Sequence, residues 1–112
     1  VKLIFVMVEN QNFGQAIEAL KEGKRVARHG WNGKGMFVFK QVPSQIDSSI
    51  IPKMQSLPDS VKKAFSEQGC NIEYENQFCI VKPVRIGENV AELNGWAPSG
   101  SDTLATDWVV LD

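Results

Sequence analysis

The sequence predicts an α+β protein: a small antiparallel sheet, a helix from the N-terminal region packed on it, and a second helix in a middle insertion. Three observations carry that expectation. One well-capped amphipathic helix stands near the start, at 12–22. Several short strands follow it, joined by connections too brief for helical crossovers. A second helical pattern, at 59–68, interrupts the strands.

In chain order, the run at 2–8 is rich in β-branched residues and suits either a buried strand or an extension ahead of the core domain. The helix at 12–22 has Asn12 as its cap and Gln15 three residues on, the spacing of a capping box. Phe13, Ala16, Ile17, Ala19 and Leu20 fall on one apolar stripe. Lys21 suits the negative end of the helix, and Gly23 is placed to end it in a left-handed conformation. Residues 25–29 alternate as a short strand, and 30–35, with three glycines, form a tight turn. Residues 36–42 return as a strand, which makes 25–42 a hairpin.

Beyond it, 43–58 is loop-like and proline-flanked. The helix at 59–68 uses Val61, Ala64 and Phe65 and closes at Gly69. Residues 72–86 supply one or two strands with a turn at 75–77, and 90–93 another. A loop at 95–100 holds Trp96 and Pro98. One helical turn follows at 101–105, capped by Ser101 or Asp102, and a last strand at 107–111.

The chain has 112 residues, 43% hydrophobic and 22% charged, which fits one globular domain over 1–112 and not a disordered chain. Within it we expect an extension at 1–11, a helix-plus-hairpin motif at 12–42, a variable middle at 43–93, and a C-terminal ligand loop and strand at 94–112. A domain this small gains from self-association. The net charge of −1 lacks the basic excess of a duplex nucleic-acid binder, although Lys21, Lys24, Arg25 and Arg28 cluster in sequence. Cys70 and Cys79 form no CxxC pair, which argues against zinc, and Cys79 sits in an apolar run as a buried thiol. The apolar run at 3–8 is too short for a signal peptide or a membrane span, so a cytoplasmic protein is expected.

Catalytic signals are missing. His29 is the single histidine, and neither a GxSxG elbow, a P-loop nor an HExxH pattern occurs. Carboxylates such as Asp47, Asp59, Glu73, Glu75, Asp102 and Asp107 are scattered, and nothing selects a pair. No enzyme, metal or cofactor is expected.

Binding signals are present. Trp31 lies in a glycine-rich turn and Trp96 in a Pro/Gly/Ser loop. Each ring can offer a stacking surface or fold back onto the core, and sequence leaves both open. Ser99, Gly100, Ser101, Asp102 and Thr103 crowd hydroxyls and amides at a helix start, either as a place where phosphate or ribose oxygens bind well or as an ordinary capped turn. Arg25 and Arg28 could clamp a pyrophosphate, or stand as solvated strand residues.

The unbroken stretch from Asn12 to Phe37, NFGQAIEALKEGKRVARHGWNGKGMF, resembles the opening of the phage-encoded second type of Thoeris anti-defense proteins. The run Ser101-Asp102-Thr103-Leu104-Ala105-Thr106-Asp107-Trp108 resembles that family's end. The resemblance implies a sponge that captures cyclic ADP-ribose isomers made by TIR-domain enzymes and holds them uncleaved; some relatives take cyclic oligonucleotides. It implies a homo-oligomer, a tetramer built from dimers, with ligand sites between subunits in the cytoplasm of the infected bacterium. On matching positions, Trp31 and Asn32 would line the pocket and Ser101, Asp102 and Thr103 would help close it. Arg28 and Trp96 join them from the residue-level reading. The family starts near Asn12, and the middle from Gln41 to Glu92 departs from its pattern. Partners are therefore expected to be a small cyclic nucleotide and further copies of the chain, with no duplex nucleic acid and no membrane. The alternatives are an enzyme that degrades such a signal and an adaptor that binds another protein.

Overall fold

The computed structural model describes residues 7–31, 34–83 and 87–112. The chain divides into two compact units, one made from the stretches up to Gln41 and from Gln77 onward, the other from Val42–Asn76.

The first unit contains β1 (Val8–Gln11), α1 (Phe13–Lys21), β2 (Val26–Arg28), β3 (Phe37–Lys40), β6 (Phe78–Lys82), β7 (Glu92–Gly95), α3 (Gly100–Leu104) and β8 (Trp108–Val110). Its strands form one sheet in the order β1-β8-β2-β3-β6-β7, every neighbouring pair antiparallel. Helix α1 begins where the capping box places it. Asn12 Oδ1 accepts from the Gln15 amide at 2.8 Å, and the Asn12 amide donates to Gln15 Oε1 at 2.9 Å. The stripe then buries Ala16, Ala19 and Leu20, with Phe13 half-buried beside them. Gly23 follows the helix at φ 84°, left-handed as its position requires.

Register decides what α1 packs on. Val26 pairs with both Val38 and Val110, so these three side chains share one face with Trp108. Burying Leu20 against them contributes about 1.5–3 kcal/mol. Ala27, Val109 and Leu111 are buried on the opposite face beside Phe37.

Residues 8–11, within the stretch expected as an extension, join the sheet as its edge strand. The pairing of β1 with β8 shifts register between Val8 and Gln11, around Asn10 at φ 56°. The strand expected at 2–8 lies almost wholly outside the described residues.

Between β3 and β6 the chain leaves for the second unit and returns. Lys40 faces Phe78 in the ladder. The Gln41 amide donates to the Gln77 carbonyl at 2.8 Å, and the Gln77 side-chain amide donates to Gln41 Oε1 at 2.8 Å.

The second unit pairs β4 (Ser44–Ile46) with β5 (Ile72–Tyr74), Ile46 opposite Ile72. It also holds a 3-10 turn at Ile51–Lys53 and α2 (Asp59–Gln68). Helix α2 ends at Gly69, φ 62°, as expected, with Val61 and Phe65 half-buried but Ala64 exposed.

Several expectations need correction. The stretch 43–58 is not all loop, because Ser44–Ile46 gains strand geometry from pairing with β5, a distant partner that local composition does not announce. Residues 72–86 do give two strands, but they do not pair with each other: β5 belongs to β4, while β6 lies between β3 and β7. The strand expected at 90–93 sits at Glu92–Gly95, where Leu93 meets Val81 and Gly95 meets Cys79. Helix α3 is capped by Ser99 and not by Ser101 or Asp102. Asp102 is its third residue, and its side chain accepts from the Ser99 amide at 2.9 Å while the Asp102 amide donates to Ser99 Oγ at 3.1 Å. Among the described residues no helix is long and apolar enough to cross a membrane.

Candidate functional site

The candidate site grows from a single ladder pair, Arg28 on β2 opposite Trp108 on β8. Directly opposed residues project from the same face. Trp108 is fully buried. Its indole Nε1 donates to the Asp102 carbonyl at 2.9 Å, which satisfies the one polar atom of the ring.

Three aromatic rings close around Trp108. Phe13 of α1 lies 5.6 Å away between centroids, Trp31 5.6 Å and Trp96 6.0 Å. Both tryptophan contacts are edge-on, at 79°. Pairs of this kind contribute about 0.5–1.5 kcal/mol beyond the area they bury. Phe78 extends the cluster by meeting Trp96 at 6.2 Å. The backbone explains the convergence. The Trp31 amide donates to the Arg28 carbonyl, and the Trp96 amide donates to the Phe78 carbonyl, both at 2.9 Å. Each ring is thus tethered to the end of a strand and not carried on a free loop. Trp31 and Trp96 fold back onto the core and remain half-buried.

A charged group borders the rings. Arg28 Nε donates to Asp107 Oδ1 at 3.0 Å and Nη1 to Asp102 Oδ1 at 3.1 Å. The Asp107 bond is the main cause that raises the Arg28 pKa above its ordinary value; burial opposes it, and Asp102 adds to it. Burial pushes the Asp102 carboxyl up, but the Ser99 amide and hydroxyl and the Arg28 guanidinium outweigh it and hold the group below the usual carboxylate range.

Four of the residues expected from sequence therefore come together around Trp108: Arg28, Trp31, Trp96 and Asp102. Ser101 and Thr103 are exposed on α3, and Thr103 Oγ1 donates to the Ser99 carbonyl at 2.9 Å. Asn32 lies outside the described residues. Arg25 does not join Arg28. Side chains alternate along a strand, so positions three apart face opposite ways. Arg25 lies over the Phe37 ring at 5.1 Å on the other face and binds Asp112 at 2.7 Å.

Sequence reasoning missed Ser99 as the cap of α3, Trp108 as the hub of the cluster, and Asp107 as a partner of Arg28. The first was legible: Ser99-Gly100-Ser101-Asp102 has capping-box spacing. The glycine at the first helical position masked it. The other two depend on register between strands nearly eighty residues apart, and no local signal reports that.

Two surface grooves share no residue with the cluster. One, in the second unit, is lined by Ser48, Ser49, Ile51, Lys62, Phe65 and Cys70 among others. The other lies along β1 and α1, with Val8, Gln11, Gln15, Glu18 and Glu22. Chemical content favours the aromatic and charged cluster over both.

Fold and cluster together define a small α+β protein whose sheet carries an aromatic face bordered by a braced arginine. The sequence matches the Thoeris anti-defense 2-like domain over residues 11–111, and the chain belongs to that family. It is 30% identical over 105 residues to the Thoeris anti-defense 2 protein of Bacillus phage SP01, which spans 94% of this chain and 99% of the relative. The family match opens one residue before Asn12 and runs through the middle of the chain as well as through the two motifs that first pointed to it.

Proposed function

We propose that this protein blocks Thoeris antiphage defense by sequestering a cyclic ADP-ribose isomer made by a TIR-domain enzyme, holding the signal without cleaving it. Family membership over residues 11–111 is the observation that carries the reading. The aromatic face supports it. An adenine needs a stacking surface, worth roughly 1–3 kcal/mol per base, and Trp31 and Trp96 are half-buried rings packed on the buried Trp108. Capture without chemistry also suits the carboxylates, because Asp102 and Asp107 are both tied to Arg28. In this reading Arg28, Trp31, Asn32, Trp96, Ser101, Asp102 and Thr103 surround the ligand. The protein works in the cytoplasm of the infected bacterium as a tetramer built from dimers, with sites completed between subunits.

The test is to incubate the protein with the TIR-derived cyclic ADP-ribose isomer, remove free ligand, heat the complex and analyse what is released by mass spectrometry. Intact ligand is expected. A fragment would make the protein an enzyme. Ligand found wholly in the unbound fraction would overturn this choice of signal.

A further inference from the structure

We propose that Asp107 grips a ribose of the captured nucleotide, its carboxylate accepting from a vicinal pair of sugar hydroxyls, and that Arg28 is the positioning residue that aims it. The proposal rests on the sequestration reading and deepens it.

Charge decides what this corner of the face attracts. Arg28 brings one positive charge, while Asp102 and Asp107 bring two negative ones at 3.1 and 3.0 Å. A phosphate arriving here meets an arginine already outweighed by its own partners. A hydroxyl pair meets a carboxylate, which only accepts hydrogen bonds and is therefore its natural complement. Carboxylates hold ribose hydroxyls in this way at other nucleotide sites.

Of the two carboxylates, Asp107 has the more accessible acceptor, while Asp102 lines the site with its oxygens already engaged. Both oxygens of Asp102 are committed, Oδ1 to Arg28 and Oδ2 to the Ser99 amide, and its side chain is 13% exposed. The Asp107 side chain is 41% exposed. Its Oδ1 takes the Arg28 Nε proton, and its Oδ2 accepts from none of the described residues. The backbone beneath it is firm, since the Asp107 carbonyl accepts from the His29 amide at 2.9 Å and the next residue is the buried Trp108. Arg28 thus orients Asp107 as outer partners orient the ligands of a metal. The Trp31 amide donates to the Arg28 carbonyl and its ring meets Trp108, the residue after Asp107, so an apolar surface for a sugar or base belongs to the same cluster as the carboxylate. The start of α3 offers a phosphate little by comparison, because its capping box already occupies the amides of Ser99 and Asp102.

Calorimetry with two compounds tests this: the cyclic ADP-ribose isomer, and its analogue lacking one hydroxyl of the free ribose diol. Hydrogen bonds to charged groups predict that the wild-type protein binds the analogue about tenfold to a hundredfold more weakly. Asp107→Asn is expected to weaken the parent compound by a similar factor and to lose most of the discrimination. Equal binding of both compounds by the wild type overturns the assignment without any variant. So does an Asp107→Asn protein that folds and still discriminates in full. Failure of the wild type to bind either compound overturns the choice of a cyclic ADP-ribose signal on which the assignment rests, and this assignment with it.

Discussion

Replacing Asp102 with alanine probes the brace that holds the candidate site. The substitution removes the acceptor of the Ser99 amide at 2.9 Å and half of the capping box of α3. Loss of a cap costs about 1 kcal/mol. It also breaks the 3.1 Å bond from Arg28. Hydrogen bonds to charged groups contribute roughly 1.5–3 kcal/mol, and the lower end applies because Arg28 keeps Asp107. The total is about 2–4 kcal/mol, a fall of roughly 10–20 °C in melting temperature for a chain of this length. Asp102→Asn keeps an oxygen for the Ser99 amide but sets an amide group against the Arg28 guanidinium, so it should cost about 1.5–3 kcal/mol. Thermal unfolding followed by tryptophan fluorescence is the assay, since the indole of Trp108 bonds to the Asp102 carbonyl. The same melts repeated in acid carry a further signature. Folding holds the Asp102 carboxyl below its ordinary range, so its stabilisation is fully present above the unfolded carboxylate value, about pH 4, and fades as pH falls through the lower folded value. The gap between wild type and Asp102→Ala should therefore narrow below about pH 4. A loss under about 1 kcal/mol at neutral pH, or a gap that does not depend on acid, would refute the brace.

Trp31→Ala should abolish ligand capture in calorimetry while costing only about 1–3 kcal/mol in denaturant unfolding, because the ring is half-buried; an unfolded variant would make the ring a core element and nothing more. Arg25→Ala should change stability by less than about 1 kcal/mol, since its pair with Asp112 is well exposed on both sides, and a larger loss in urea titration would contradict that. Leu20→Ala empties the fully buried contact of α1 with the sheet and should cost about 2.5–5 kcal/mol by the same titration. Asn12→Ala removes the acceptor in the first capping box, with about 1 kcal/mol expected in melting experiments.

The parts of the fold that sequence exposed are those held by neighbours in the chain. Asn12 and Gln15 announce the start of α1 because a capping box is a contact between residues three apart. Gly69 announces the end of α2 because a left-handed residue belongs there. Strand partners are set otherwise. Ser44–Ile46 has little strand character of its own and becomes β4 only through Ile72 and its neighbours. The site divides along the same line. Trp31 and Trp96 stood out as aromatic residues among glycines and prolines, and the structure brings both to one ring. That ring, Trp108, was visible only as part of a motif, and Asp107 only as one scattered carboxylate. Their roles come from the Arg28–Trp108 register. The family resemblance, built on residues 12–37 and 101–108, already joined the two stretches that this register unites.

The neck formed by Gln41 and Gln77 sets how this protein can change over time. Because Lys40 and Phe78 are ladder partners and the next residues bond across at 2.8 Å, residues 42–76 amount to an oversized hairpin loop. Closing such a loop depends only weakly on its length, about 0.6 kcal/mol for each doubling. A two-residue Asn-Gly turn is the shortest bridge such a ladder favours. Recombination at this point can therefore lengthen, shorten or exchange the middle of the chain while Arg28, Trp31, Trp96 and Trp108 keep their register. A change of length costs least in the segment whose ends are already fastened.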